Sequence, residues 1–305
     1  MKVLVVGGCG FIGSHVVDVL KEQGIRIRVL DRRPETFRPP VPGVEYVKGD
    51  LSDGALVAEA VLGMDAVIHL ASSTVPYTSN LDPVADITTN LVGSVRLLEV
   101  MRSVGVRNIL YLSSGGTVYG VPRDETVSED HPLQPLNSYG VVKAAVEKYL
   151  HMYSHLYGLR CCVLRASNPY GPRQGHTGVQ GVIGTFLWRI ARDEPIEIWG
   201  DGSIVRDFIH VRDLAELCAR TLASDVSGSY NAGSGEGVSI ADLVETVARA
   251  VGRDLHPVFK PGRLFDVPRV VLDISRARAA FGWAPRIPLT AGVGETWRWV
   301  QEQCG

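Results

Sequence analysis

Lys2-Val3-Leu4-Val5-Val6-Gly7-Gly8-Cys9-Gly10-Phe11-Ile12-Gly13 opens the chain and decides how the rest is read. Lys2 to Val6 is nearly all apolar and rich in valine, the pattern of a strand buried on both faces of a parallel sheet. The glycines then permit a tight turn and a close approach of backbone to a pyrophosphate. From Phe11 onward Ile12, His15-Val16 and Val19-Leu20 recur with helical period, predicting a helix that runs to Gln23 with Gly24 as its C-cap. Its N-terminal amides and dipole would face the phosphates. A second apolar run, Ile25 to Leu30, ends in Asp31, at the separation of about 20 residues expected of the acid that binds the adenosine ribose hydroxyls. Strand, glycines, helix, second strand and terminal acid in this order supply the context that a bare glycine pattern lacks. Gly7, Gly10, Phe11, Ile12, Gly13 and Asp31 are therefore expected to hold a dinucleotide. A carboxylate at Asp31 repels a 2'-phosphate and favours NAD over NADP. Arg32 and Arg33 either weaken that preference or are solvated loop charges.

A chain of 305 residues, 45% hydrophobic and with a formal net charge of -2, is long enough for one large α/β unit plus a smaller lobe. Nothing is basic enough to suggest nucleic acid as a partner, and no apolar run approaches the length of a membrane span. The N-terminus enters a strand directly, without the apolar region of a signal peptide, and a cytoplasmic location is expected. Cys9, Cys161, Cys162, Cys218 and Cys304 show neither C-x-x-C spacing nor a paired histidine pattern. Free thiols and no metal are expected.

The proline-rich stretch 34–43 reads as an exposed loop. Val44 to Leu51 reads as a third strand ending in Gly49-Asp50-Leu51. Asp50 has two open readings there, an acceptor for the adenine amino group or a cap for a helix starting near Ser52. Met64 to Ser72 is a fourth buried strand whose small-residue exit would let a cofactor pass close to the backbone, and His69 within it reads as a hydrogen-bonded core histidine, with a ligand-binding role as the alternative. Pro83 to Gly105 is predicted as one long amphipathic helix, and Asn108 to Ser114 as the fifth strand. This alternation implies a right-handed, Rossmann-type doubly wound parallel sheet. The glycine loop, Asp31, Asp50, Ala71 and Ser114 all fall at the carboxyl ends of its strands, where such sheets bind ligands.

Ser138-Tyr139-Gly140-Val141-Val142-Lys143 opens the next helical stretch, which runs to Tyr157. Tyr139 and Lys143, four apart, share one helix face. A free phenol, with a pKa of about 10, is too weak an acid to serve as a base at neutral pH. A neighbouring ammonium is expected to favour the phenolate and bring it toward the working range.

With these residues in view, the chain resembles the extended short-chain dehydrogenases/reductases, and within them the sugar-nucleotide epimerases similar to UDP-glucose 4-epimerases. The resemblance covers essentially the whole length. It rests on the glycine run, Gly49-Asp50-Leu51, His69-Leu70-Ala71, Ser113-Ser114-Gly115-Gly116-Thr117-Val118-Tyr119-Gly120, Tyr139-Gly140-Val141-Val142-Lys143, Asn168-Pro169-Tyr170-Gly171-Pro172 and Arg206-Asp207-Phe208-Ile209-His210-Val211. It implies that Tyr139 transfers the proton while Lys143 binds the nicotinamide ribose of NAD. Arg32, Asp50, Leu51, Leu70, Ala71, Ser72, Asn90 and Ser113 are implied as further cofactor contacts. The family's third catalytic group is a Ser or Thr hydroxyl, often four places before the tyrosine of Val-Tyr-Gly. That position is Gly115 here, which leaves Ser114 and Thr117 as alternatives. Relatives that eliminate water place Asp-Glu where this chain has Gly116-Thr117, so dehydration lacks its acid and base, and decarboxylation is disfavoured on the same grounds. What remains is reversible oxidation at one sugar carbon, which implies epimerisation of a UDP-hexose. A 4-keto sugar-nucleotide reductase and a non-catalytic nucleotide-binding sensor are the competing readings.

The expected division is a dinucleotide-binding domain over 1–166, with 207–225 returning to it, and a smaller C-terminal α/β substrate-binding lobe over 167–305. Pro195 to Gly202 and Val205 to His210 read as short strands around an Asp-Gly turn. By resemblance Asn168, Val182 and Arg206 contact substrate. Asn168 has the alternative of a turn-forming residue before Pro169; Arg206 has that of a rim salt bridge with Asp207 or Asp213. Asp213 is expected to cap or support the helix Leu214 to Leu222. Arg263 and Asp266 match a pattern that relatives use on phosphate and uridine ribose. Val270 stands where relatives that exclude N-acetylated sugars carry a tyrosine, so room for an acetamido group is expected there. A homodimer through the helices at 83–105 and 138–157 is implied by resemblance alone.

Overall fold

The computed structural model describes residues 1–175, 181–262 and 267–304. Six strands fill the first half, with helices between all of them except β2 and β3: β1 (Lys2–Val6), β2 (Arg26–Asp31), β3 (Val44–Lys48), β4 (Ala66–His69), β5 (Asn108–Ser114) and β6 (Arg160–Ala166). They lie parallel in the order β6-β5-β4-β1-β2-β3, so the chain reverses direction across the sheet between β1 and β4. Ligands of doubly wound sheets bind at that switch point. The unbroken apolar run of β1 has a simple cause. Val3 and Val5 enter the core on one face of the sheet while Leu4 and Val6 enter the core on the other, none more than 2% exposed.

One face carries α1 (Phe11–Glu22); the other carries α2 (Gly54–Val61) and two longer helices. Asp53, not Asp50, caps α2, accepting the amides of Ala55 and Leu56 at 3.1 Å each. After the short α3 (Pro76–Ser79), the predicted helix at 83–105 is continuous but composite. It comprises α4 (Pro83–Asp86), a π-helical turn over Ile87–Val92, and α5 (Gly93–Val104), closed by Gly105 at φ 80°. α6 (Ser138–Tyr157) lies beside it and ends at Gly158, φ 66°.

The second lobe collects β7 (Asn168–Tyr170), α7 (Val182–Ala191), β8 (Glu197–Trp199) and β9 (Val205–His210). The predicted pairing around an Asp-Gly turn does not form. β8 pairs with β12 (Val258–Lys260), whereas β9 sits among β7, β11 (Gly237–Ser239) and β13 (Arg269–Val270). β8, with three residues, carries little pairing information of its own, and both strands find partners remote in sequence. The domain boundaries shift accordingly. β9 belongs to the lobe, but the following α8 (Val211–Leu222) packs on α1 and β10 (Gly228–Ala232) extends the main sheet beside β6. Leu272, Ile274 and the residues Ala277 and Phe281 of α10 (Ser275–Phe281) also join the core under that sheet. The lobe's own core lies between α7, α9 (Ile240–Val251) and α11 (Leu289–Cys304). His210, through Nδ1, caps α8 by accepting the Arg212 amide, and Asp213 instead accepts the amide of Ile287 at 3.0 Å.

Where the chain crosses into the lobe it is moored to α1. His15 donates from Nε2 to the Pro172 carbonyl at 2.9 Å, and Arg173 pairs with Asp18 at 2.7 Å. Arg173 holds φ 67°, one of two non-glycine residues in the left-handed region among those described. Arg38 also pairs with Asp18.

Candidate active site

Three adjoining cavities follow the carboxyl ends of the strands into the lobe. The first, about 500 Å³, is bordered by Gly7, Gly10, Asp31, Arg32, Arg33, Asp50, Leu51, Leu70, Ala71, Ser72 and Asn90. The second, about 370 Å³, shares Gly7, Gly10, Leu70 and Ser72 with it and adds Phe11, Ile12, Gly13, Ser113, Ser114, Thr117, Tyr139, Lys143 and Asn168. The third, about 240 Å³, shares Asn168, Pro169 and Gly181 with the second and adds Val182, Ile198, Trp199 and Arg206. Residues predicted from separate stretches for dinucleotide, chemistry and substrate thus line one furrow in that order.

The glycine loop fits a dinucleotide at its narrowest point. Gly7 holds φ 86°, and a Cβ there would meet the Ala71 backbone nitrogen at 2.8 Å; a Cβ on Gly13 would lie 2.1 Å from the Gly7 carbonyl. Strand and helix therefore cross closely enough that only hydrogen fits. No side chain caps α1, whose N-cap is Gly10, which leaves its end open to an anion. Asp31 accepts the amides of Cys9 at 3.0 Å and Arg33 at 3.1 Å, so its carboxylate is fixed at the end of β2. Burial, with Asp31 and Glu35 nearby, pushes the Cys9 thiol up to about 12, so it stays protonated. Arg32 leans on Asp50 at 3.6 Å, and Asp50 also accepts the Ser52 amide at 2.8 Å. Asn90 borders the first cavity, but its amide is engaged by protein. It donates to Asp86 at 2.7 Å and Thr74 at 3.0 Å and accepts from the Ser73 amide at 2.9 Å. Asn90 thus also braces the wall of the cavity that it borders.

At the centre, α6 turns Tyr139, Lys143 and Glu147 toward β5 and β6, one turn apart on one face. The end of the helix is finished by protein: Asn80 Oδ1 accepts the Ser138 amide, Ser79 Oγ that of Tyr139 and Asn137 Oδ1 that of Gly140, at 2.8–3.0 Å. Lys143 donates to the Leu112 carbonyl at 2.7 Å, and its nitrogen lies 5.5 Å from the centre of the Tyr139 ring and 4.7 Å from that of Tyr111. Burial lowers Lys143 to about 8, against the opposing pull of Glu147 and Asp86. Tyr139 moves the opposite way from the sequence expectation. Removal from water, and then the charge of Asp86, push its phenol above the usual range. Lys143 sits over the ring, and its ammonium does not offset the loss of water. Behind the pair, Glu147 is held by Arg165 at 2.7 Å and by the Ser113 hydroxyl, and Arg165 reaches Tyr119 at 3.0 Å.

The two candidate hydroxyls differ. Both border the central cavity, but Thr117 Oγ1 is buried with no hydrogen-bond partner among the described residues. Two further groups that sequence reasoning passed over share this feature: Ser167 Oγ and Gln174 Oε1, on residues that line the same cavity. Ser167 immediately precedes the Asn168 motif and Gln174 lies two residues beyond it, which was the available signal. Trp199, 41% exposed at the outer cavity, was missed as one residue of a short strand.

In the lobe, Asn168 is a strand residue rather than a turn former, donating to the Asp207 carbonyl at 2.8 Å. Arg206 lines the outer cavity from β9. Asp207 is not its rim partner. It is fully buried and accepts from Ser234, Gly235 and Leu272, at 2.7–3.2 Å, with burial raising its carboxyl. Val270 is 3% exposed, belongs to the core and is not among the described residues that line the three cavities. Arg263 and Asp266 lie outside the described residues. Among the described residues no group of His, Cys, Asp or Glu is arranged to hold a metal, and no helix is long and apolar enough to cross a membrane.

A dinucleotide furrow that runs past a tyrosine and lysine on one helix face into a lobe offering an arginine and an asparagine defines a nucleotide-dependent oxidoreductase-type site. The chain belongs to the NAD dependent epimerase/dehydratase family, whose profile matches residues 3–233. It is 38% identical over 304 residues to the UDP-glucose 4-epimerase of Mycolicibacterium smegmatis, covering 97% of each chain. Its fold matches the crystal structure of the Thermotoga maritima UDP-glucose 4-epimerase with UDP-glucose, at TM-score 0.96, 32% identity and full coverage of both chains. It likewise matches the Thermus thermophilus UDP-glucose 4-epimerase in complex with NAD, at TM-score 0.90, 37% identity and 99% coverage of each.

Proposed function

We propose that this chain is an NAD-dependent epimerase that inverts C4 of a UDP-hexose through a 4-keto intermediate. The observation that carries the reading is the single furrow in which Tyr139, Lys143 and Thr117 stand between a dinucleotide end and a lobe lined by Asn168, Val182 and Arg206. The likeness to epimerases solved with UDP-glucose and with NAD supports it. NAD, when bound, supplies a hydride acceptor and a positive charge. Gly7, Gly10, Phe11, Ile12 and Gly13 cradle its pyrophosphate, Asp31 takes the adenosine ribose, and Leu70, Ala71 and Ser72 wall the passage to Lys143. Tyr139, as the phenolate that the Lys143 ammonium and the charge of bound NAD would together favour against burial and Asp86, would take the proton of the sugar hydroxyl and return it after the ring has turned over. Thr117 is assigned the third catalytic role over Ser114, because its buried hydroxyl has no hydrogen-bond partner among the described residues. Arg206 takes the diphosphate, while Arg263 and Asp266 rest on resemblance alone.

The test supplies UDP-glucose and UDP-galactose, plain and N-acetylated, to the purified protein without added cofactor. Interconversion to an equilibrium mixture is expected, with kcat falling about 10²–10⁴-fold in Tyr139→Phe while bound NAD is retained. Absence of interconversion, together with stoichiometric use of reduced cofactor on a keto sugar, would establish a reductase instead.

The protein is further assigned a homodimer and a cytoplasmic location, the latter supported by five unpaired cysteines. Tyr149, Met152 and Leu156 form an exposed stripe on α6, 38–58% accessible and spaced three and four apart, which suits a second copy of the same face. A Met152→Glu, Leu156→Glu variant is expected to be monomeric by light scattering, and an unchanged mass would refute the interface.

A further inference from the structure

Asp86 is a fully buried carboxylate that the mechanism above does not use. It ends α4, immediately before the π-helical turn, and faces the end of α6. One oxygen accepts from Thr74 Oγ1 at 2.7 Å and from Asn90 Nδ2 at 2.7 Å; the other accepts from the Ser138 hydroxyl at 2.7 Å. No cation shares it among these contacts. Thr74 belongs to the loop after β4 and borders the central cavity, Asn90 braces the wall of the dinucleotide cavity, and Ser138 precedes Tyr139. Three separate segments therefore meet on one side chain. Burying a charged carboxylate is costly unless hydrogen bonds compensate it, so the arrangement demands a return beyond packing.

We propose that Asp86 is a positioning residue for the reaction, clamping the end of α6 that carries Tyr139 to the loop and helix that wall the dinucleotide end of the furrow. The inference rests on the reading of Tyr139 as the proton-transfer group. The groups that face Tyr139 and Lys143 are Asp86, Tyr111 from β5, His69 from β4 and, on α6 itself, Glu147 neutralised by Arg165 from β6. Burial holds His69 down to about 3 and Tyr111 well above the ordinary tyrosine range, so neither changes charge near neutrality. The charge of Asp86 thus works in two directions at once. It opposes ionisation of the Tyr139 phenol and favours the Lys143 ammonium.

Asparagine and alanine separate the two contributions. Asp86→Asn retains an acceptor toward Thr74 and Asn90 and an amide that the rotatable Ser138 hydroxyl can accept from, but it removes the charge. Asp86→Ala removes both. The holoenzyme variants are compared by kcat and KM between pH 5.5 and 9, by the NAD released on denaturation and by melting temperature. Asp86→Ala is expected to lose kcat about tenfold or more at every pH with little change in the KM for UDP-sugar. In Asp86→Asn most of that kcat returns, and the acid limb moves to lower pH, so that the ratio of kcat/KM at pH 6 to that at pH 8 rises about threefold or more. An Asn profile superimposing on the parent's, or an Ala variant that keeps its kcat, overturns the inference. Tyr139→Phe is measured alongside. Full turnover there would refute the reading of Tyr139 itself, whereas its loss combined with a parental Asp86→Asn profile would refute only the role of Asp86.

Discussion

Two helix N-termini reach the furrow and are finished in opposite ways. α1 begins at Gly10 with no side-chain cap, whereas the end of α6 is closed by Asn80, Ser79 and Asn137. Unsatisfied amides at a helix start need an acceptor from somewhere. At α1 no described side chain takes that place, and under the proposed function the dinucleotide would complete the helix; at α6 three side chains do, so the helix is complete alone and holds Tyr139 in one position. The first end is built to bind and the second to be still. Both are tools of one reaction, yet the sequence features that make them share nothing.

The contrast can be broken most forcibly at Gly13. Gly13→Ala drives a methyl into the Gly7 carbonyl, 2.1 Å away, and the Gly8 Cα, 2.7 Å away. Loss of copurifying NAD is expected, together with about 1–3 kcal/mol of stability read from urea unfolding of the apoprotein; retention of both would show that the loop gives way easily. Next in size is Asn137→Ala, which uncovers the Gly140 amide and is expected to cost about 1 kcal/mol. Because that cap belongs to the closed helix, NAD content should be unaffected, and a fall in NAD content would blur the distinction. The smallest effect on stability is predicted for Gly10→Ala. Its added methyl has nothing nearer than 3.4 Å and its φ of -81° is ordinary, so the apoprotein should change by less than about 0.5 kcal/mol. Weaker NAD binding by titration, with stability intact, would mark this end as one finished by ligand.

Much of the first half was legible because each element there is written locally. The valines of β1, the period of α1 and the acid ending β2 occupy consecutive stretches, and β5 and α6 fall at their predicted bounds. The π-helical turn was not legible, since Leu98 and Met101 keep an ordinary helical period beyond it. Nor was Asp86, whose meaning depends on Thr74 and Ser138, far away in sequence. The lobe was harder for the same reason. β8 and β9 are each completed by strands dozens of residues later, and Val270, placed by counting from Arg263, faces the core because β13 pairs with β9. The direction of the Tyr139 shift was misjudged because sequence shows a lysine four residues away but not how much water the fold removes.

The tether of Pro172 and Arg173 to His15 and Asp18 has a mechanical consequence. It fixes the root of the lobe to the first turns of the same helix whose N-terminus borders the glycine-loop cavity. The compartment assigned to the dinucleotide and the entrance to the lobe therefore rest on one support. For an enzyme proposed to keep its NAD while exchanging sugars, a common footing holds the two ends of the furrow in register.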